Sequence, residues 1–270
     1  MIRVENLTLG YEGRPVLHRL NFDVQPGEFV GLLGPNGSGK TTLIHALAGL
    51  LKPQEGRILL HGEPLAAMRS RRRARTVAVV PQSTDIRFPF TCLEIVLMGR
   101  YPHQRRAFSL AEADLATALW AMRETTTDAF ADRPVTDISG GERQRVIIAR
   151  ALAQQPAVLL LDEATSSLDV RKKVEIFDLV SRLNQEGLTV VCAMHDLNLA
   201  ALYCRRLMFL KDGRLLEDGP TEAVFTAATL ERVYDTPMEV ILHPGYGRPY
   251  ALTLPLHPVT PAKAASGGAS

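Results

Sequence analysis

Four apolar runs punctuate the chain, and each one empties into a polar loop. "EFVGLL" (28–33) leads into a glycine-rich stretch, "TVAVV" (76–80) into Pro81-Gln82, "AVLLL" (157–161) into Asp162-Glu163, and "LTVVCA" (188–193) into Met194-His195. Unbroken apolar character predicts strands covered on both faces, the pattern of a doubly wound, mostly parallel sheet. In such sheets ligands bind at the carboxyl ends of the strands. The opening of the chain reads differently. "IRVENLTLGY" and "RLNFDVQPGE" alternate apolar and polar residues and close on Pro-Gly, which predicts an antiparallel edge sheet. Between about 85 and 150, "LAEADLATALWAMRET" and "GERQRVIIARALAQQ" carry apolar residues at helical spacing, with no strand-like run between them. The expected organisation is therefore α/β: a core from 1–84 and 151–235, a helical subdomain inserted at 85–150, and an extension at 236–256. A small, polar tail at 257–270 lacks the apolar residues to pack and is expected to be disordered.

Gly34, Pro35, Asn36, Gly37, Ser38, Gly39, Lys40 and Thr41 match the phosphate-loop pattern G-x-x-x-x-G-K-[ST], between a strand and a helix that opens at Thr41-Thr42. Glycines let backbone N–H groups turn inward around phosphates, and the helix N-terminus adds partial positive charge. Lys40 suits the outer phosphates and Thr41 a Mg²⁺ ligand. Asp162 closes a strand and suits metal positioning. Glu163 follows it, and strand alternation is expected to point the two carboxylates to opposite sides, leaving Glu163 as a general base for water. Gln82 and His195 leave strands of the same sheet, so Gln82 is placed to sense metal or water and His195 to hydrogen-bond a terminal phosphate. Tyr11 reads as a buried aromatic or as a ring for stacking on adenine.

A second anion-binding feature stands about a hundred residues later. Ser139, Gly140 and Gly141 precede "ERQRVIIARAL", so their N–H groups and the serine hydroxyl are expected to be free for an anion, or else to form an ordinary helix cap.

Taken together the motifs resemble the ATP-binding-cassette (ABC) ATPases over residues 1 to about 235. "GPNGSGKTT" resembles the Walker A loop, Gln82 the Q-loop, "ISGGE" the signature, "VLLLDE" the Walker B strand, "SSLD" ending at Asp169 the D-loop, and His195 the H-loop. Ile138 and Glu142 depart from the family's usual leucine and glutamine. The resemblance implies ATP and Mg²⁺ as ligands. It also implies a head-to-tail pair of copies in which Ser139 and Gly141 cap the nucleotide held by the partner's Walker A loop. "FPFTCLEIVLMGRYPH" and "HPGYGRPY" further resemble the ATPase subunits of importers for iron–siderophore complexes, haem and cobalamin, with iron–siderophore the first expectation. An integral-membrane permease would dock near 82–103, a substrate-binding protein would act indirectly, and the chain would sit on the cytoplasmic face of the membrane. A soluble assembly ATPase, as in iron–sulfur cluster biogenesis, is the alternative.

Composition adds limits. The 270 residues are 46% hydrophobic, enough for a sizeable core, and "AVLLL" is far short of the roughly 20 apolar residues of a membrane-spanning helix. A membrane role is therefore expected to be borrowed from a partner. With 31 basic and 29 acidic residues the net charge is +2, so no nucleic-acid partner is expected. The local exception, "RSRRRAR" (69–75), reads as a solvated helix face rather than a nucleic-acid or lipid patch, because no aromatic residue interleaves it. Three cysteines without C-x-x-C spacing predict neither disulfides nor a zinc site. The first residues show no secretory-signal pattern.

Overall fold

A computed structural model describes residues 1–82, 86, 88–104, 111–165 and 168–256. The tail at 257–270 and the two serines of "SSLD" lie outside the described residues.

The four apolar runs become neighbouring strands of one six-stranded sheet. In spatial order its strands are Arg214–Pro220, Arg206–Lys211, Phe29–Leu33, Thr189–Ala193, Val158–Asp162 and Val77–Val80. The last five run parallel, and Arg214–Pro220 pairs antiparallel at the edge. Both faces are covered. Val158 and Leu160 share a core with Val30, Leu32 and the helix Lys40–Leu47, whereas Leu159 and Leu161 face the opposite core, built with the helices of the insert and Val170–Gln185. Each buried Leu or Val contributes about 1.5–3 kcal/mol relative to exposure, so neither face tolerates a one-residue register slip. Because the five strands are parallel, Gly34, Gln82, Glu163 and His195 all emerge at the same edge.

The alternating opening forms a second sheet, in the order Arg14–Val24, Ile2–Tyr11, Glu55–Leu60, Glu63–Pro64. Its buried side chains, among them Val4, Leu7, Leu17 and Ile58, close the core over Lys40–Leu47. The insert holds three mutually packed helices, Cys92–Leu97, Glu112–Glu124 and Gly140–Ala153. Thr91 starts the first with a capping box: its hydroxyl accepts from the Glu94 N–H at 3.2 Å, and the Glu94 carboxylate accepts from the Thr91 N–H at 2.8 Å.

A buried ion pair fastens the insert together. Arg100 donates Nε–H to Asp114 Oδ1 at 2.8 Å and Nη1–H to the carbonyl of Ala153 at 2.7 Å and to Gln155 Oε1 at 2.9 Å. One guanidinium thus joins the start of one helix to the end of another. Burial pushes the Asp114 carboxyl up, but the Arg100 hydrogen bond and charge more than reverse this and hold it below the usual carboxylate range.

The 236–256 stretch, expected only as an extension, contains an antiparallel hairpin, Met238–Leu242 with Pro249–Thr253. It clasps the helix Leu197–Tyr203: Asn198 donates to the Ala251 carbonyl at 3.2 Å and accepts the Ala251 N–H at 2.8 Å. Cys92, Cys192 and Cys204 are free and buried, and burial pushes their thiols up.

Candidate nucleotide-binding site

The strand Phe29–Leu33 ends at a loop that only glycine can build at two places. A Cβ on Gly34 would lie 2.0 Å from the Leu210 carbonyl oxygen of the neighbouring strand. Gly39 has φ +102°, and a Cβ there would stand 2.7 Å from Leu17 Cδ2. Gly39 is also the N-cap of Lys40–Leu47, so no side chain caps that helix, and its first amides face the loop unspent. The Ser38 hydroxyl is buried and without a hydrogen-bond partner. Lys40, only 4% exposed, donates to the carbonyls of Gly34 at 2.9 Å and Pro35 at 3.2 Å. Burial lowers the Lys40 pKa, and the nearby Glu163 carboxylate opposes that effect. An orphaned hydroxyl, uncapped amides and a desolvated ammonium are what an oxyanion would satisfy. Asn36 and Gly37 lie exposed on the outside of this loop, Pro35 and Thr41 are half-buried, and Thr42 is buried.

Asp162, 1% exposed, accepts the Thr41 hydroxyl at 3.0 Å across 121 residues of chain. Burial pushes its carboxyl up despite the Thr41 hydrogen bond. A desolvated carboxylate beside a hydroxyl at the mouth of a phosphate loop is a donor set that suits a small divalent cation.

Glu163 occupies the centre of the edge. Its Oε1 is 2.6 Å from His195 Nε2 and 3.7 Å from Lys40 Nζ, and its Oε2 accepts from Gln82 Nε2 at 2.7 Å. Three expected residues, Gln82, Lys40 and His195, each carried on the segment that follows a different strand, therefore meet at one carboxylate. The reason its role separates from that of Asp162 differs from the expected strand alternation. The strand stops at Asp162, and Glu163 turns into the left-handed region at φ +49°, held by its N–H on the Ala193 carbonyl at 3.0 Å. A non-glycine residue held there carries a backbone cost that the surrounding structure must offset.

Tyr11 corrects one expectation. It is 47% exposed rather than buried, at the end of Ile2–Tyr11 and opposite Arg14. The strand that begins at Arg14, Tyr11's pairing partner, reaches the phosphate loop through Val16 and Leu17 against Gly39.

Ser139 takes the second of its two expected forms, an ordinary helix cap. Its hydroxyl accepts from the Glu142 N–H at 3.3 Å, and its own N–H donates to the Glu142 carboxylate at 2.8 Å, forming a capping box. The hydroxyl and the first amide are thus already engaged, and those bonds hold the Glu142 carboxyl below its ordinary range. Among the described residues no hydrogen bond joins Ser139, Gly140 or Gly141 to the 34–42 loop. Beside Gly141 stands Lys172, whose Nζ is 3.2 Å from where a Cβ would be. Asp169 caps Val170–Gln185 by accepting the Lys172 N–H at 2.9 Å, and it pairs with Lys172 Nζ at 3.4 Å. Sequence reasoning missed this lysine. Its signal was the position three residues after Asp169, one helical turn along.

The family model for ABC transporters matches residues 17–166, from the strand beside the loop to past Glu163. The chain belongs to the ABC transporter family. Three family relatives are similar over most of it: the hemin import ATP-binding protein HmuV of Streptomyces coelicolor (43% identical, covering 87% of this chain and 83% of that protein), the cobalamin import ATP-binding protein BtuD of Halobacterium salinarum (40%; 93% and 63%), and the ferric enterobactin transport ATP-binding protein FepC of Escherichia coli (36%; 98% and 97%). The chain spans 58–63% of the longer relatives it matches, BtuD among them. Among ABC structures it resembles an inward-facing transporter of putative metal-chelate type (TM-score 0.82, 29% identity, 94% of this chain and 96% of that one). It also resembles a dimeric ATP-binding cassette in a post-hydrolysis state bound to ADP and Pi (TM-score 0.73, 32%, 82% and 99%). The α/β phosphate-loop fold expected from the sequence is the fold of these ABC proteins.

Proposed function

We propose that this chain is the ATP-hydrolysing subunit of an importer for an iron chelate. It acts as a head-to-tail pair of copies against an integral-membrane permease on the cytoplasmic face of the membrane, with a substrate-binding protein delivering cargo. The observation that carries the reading is the convergence of Gln82, His195 and Lys40 on Glu163 beside the uncapped helix at Gly39. The 1–84 and 151–235 segments form the nucleotide core in this proposal, and 85–150 carries the signature helix.

Lys40, the loop amides from Gly34 to Thr42 and the Ser38 hydroxyl bind the phosphates, and Tyr11 stacks on the base. Thr41, Asp162 and Gln82 hold Mg²⁺, which when bound supplies charge neutralisation at the outer phosphates. Glu163 orients water and takes its proton, and His195 fixes the Glu163 carboxylate from the other side. Ser139, Gly140, Gly141 and Asp169 of the second copy close the site; among the described residues no hydrogen bond joins them to the 34–42 loop of their own chain. The import names of the relatives support transport over soluble assembly. Siderophore and haem cargoes both carry iron, so an iron chelate is proposed ahead of cobalamin.

Thiols introduced at Asn36 and Gly140 test the arrangement. With ATP and Mg²⁺ present they are expected to crosslink between two polypeptides. A crosslink confined to single polypeptides, in a protein that hydrolyses ATP, overturns the paired site. Glu142→Gln gives a second test. Glutamine preserves the capping box but removes a negative charge from the helix start that must meet a phosphate. The ATP concentration at half-maximal pairing, read by light scattering, is expected to fall about two- to fivefold.

A further inference from the structure

We propose that the arginine-rich helix Ser70–Thr76 and the adjoining Tyr101 form a docking surface for the anionic headgroups of a lipid membrane. The inference rests on the membrane-peripheral reading above and gives a role to a run that reading leaves unused. Five arginines, Arg69, Arg71, Arg72, Arg73 and Arg75, fall within seven residues, and no acidic residue occurs from 64 to 84. Without them the chain's 31 basic residues drop to 26 against 29 acidic, a net charge of −3. Five of the 31 basic residues are thus packed into seven positions that carry no acidic residue. The helix buries no residue, and Arg69, Arg71, Arg72 and Arg75 are exposed. An apolar contact cannot be the reason for its composition.

The structure also supplies a fixed geometry and, next in sequence to the residue that anchors it, an exposed aromatic, Tyr101. Arg71 and Arg75 both donate Nε–H to one acceptor, the Pro102 carbonyl, at 2.9 and 2.7 Å. That pins two guanidinium groups side by side against the residue that follows Tyr101, itself 53% exposed. A freely solvated face gains nothing from pinned arginines. Held planar forks are suited to phosphate oxygens, and an exposed aromatic beside them is the pairing found where proteins meet the headgroup layer. Pro102 also lies within the 82–103 stretch where the permease is expected to dock, so the arginine helix borders the side of the molecule that faces the membrane. Arg72 reaches the nearest carboxylate, Glu63, at 2.5 Å, which leaves the run strongly positive.

The test is vesicle co-sedimentation of the full chain. It uses phosphatidylcholine vesicles with and without about a third phosphatidylglycerol, at low and high salt. Binding is expected only with phosphatidylglycerol and is expected to weaken with salt. Arg69→Gln with Arg72→Gln leaves the Pro102 contacts intact and is expected to weaken partitioning about 25-fold, at about fivefold per arginine near an anionic leaflet. The Arg69→Lys, Arg72→Lys variant is expected to restore most of it, which separates charge from folding. Indifference to phosphatidylglycerol, equal partitioning of the glutamine variant, or displacement from vesicles by duplex DNA or by millimolar inorganic phosphate would each overturn the proposal. ATP hydrolysis, measured in the same preparations, is expected to be unchanged in both variants. A chain that binds vesicles without hydrolysing ATP sinks the proposed function and leaves this surface standing, and the converse result does the reverse.

Discussion

Glu163→Gln is expected to hydrolyse ATP about 10²- to 10⁴-fold more slowly while still binding it, the range lost when a positioned general base is removed. The substitution is isosteric, and its amide oxygen can still accept from one of the two donors that flank Glu163, Gln82 at 2.7 Å or His195 at 2.6 Å. What it cannot do is take a proton from water. Its NH₂ meets the other neighbour, which can accept it, Gln82 by turning its amide and His195 through an unprotonated Nε2. In the proposed site binding rests on other groups, the Lys40 ammonium, the uncapped helix and the Ser38 hydroxyl, all of which remain in the variant. With phosphates retained, the paired form is expected to accumulate, visible as a doubling of mass by light scattering in ATP and Mg²⁺. Single-turnover phosphate release at the unmodified rate would remove Glu163 from the role of base.

Arg100→Ala is expected to cost about 3–5 kcal/mol of stability, because it leaves the Asp114 carboxylate buried without its cation. Urea titration of the purified chain reads this as a lower midpoint. The loss has a pH signature. With Arg100 present, the Asp114 carboxyl is held below its unfolded value, so its contribution is complete above about pH 4 and fades as pH falls through the lower folded value. Without Arg100 the Ala111 N–H remains, but burial loses its main opponent and is expected to raise the carboxyl, so the deficit is largest at neutral pH and begins to shrink as pH falls through that raised value, above about pH 4. Arg100→Met combined with Asp114→Leu is expected to recover part of the loss, since a buried pair can be exchanged for apolar packing. Recovery stays partial because the Ala153 carbonyl loses its donor. Equal midpoints for the single variant and the unmodified chain, at pH 7, would contradict the role given to this pair.

The residues differ in how openly they declared themselves. Val158 to Leu161 were legible as a strand because both faces of the sheet are buried, which leaves an unbroken apolar run. Arg206–Lys211 was not, although it pairs with Phe29–Leu33 and completes the scaffold of the loop: its charged ends and the arginines before it blur the run. The phosphate loop was readable because glycine is forced at Gly34 and Gly39. The bond from Arg100 to Asp114 and Ala153 was not, since no periodicity predicts which polar side chains meet across three helices. Tyr11 shows that an aromatic in an alternating strand has no fixed burial at the strand's end. Ser139 was half-read. Serine followed three residues later by glutamate is itself a capping-box pattern, and it could have told that the hydroxyl is engaged before any phosphate arrives. Glu163 was placed correctly at the strand's end, but its left-handed turn depends on the Ala193 carbonyl of the next strand, a tertiary fact.

The sheet order carries a temporal implication. The strand that launches the phosphate loop is flanked on both sides by segments made much later: Gly27, at its foot, donates to Thr189 Oγ1 at 3.0 Å across 162 residues. During translation the glycine loop leaves the ribosome roughly ten to thirty seconds before its neighbours, at ordinary elongation rates. Until residue 195 has been added nothing brings Glu163 and His195 together, and until residue 210 has been added nothing fixes the loop against Leu210. A nascent or prematurely terminated polypeptide therefore has no scaffold with which to sequester the cell's nucleotide.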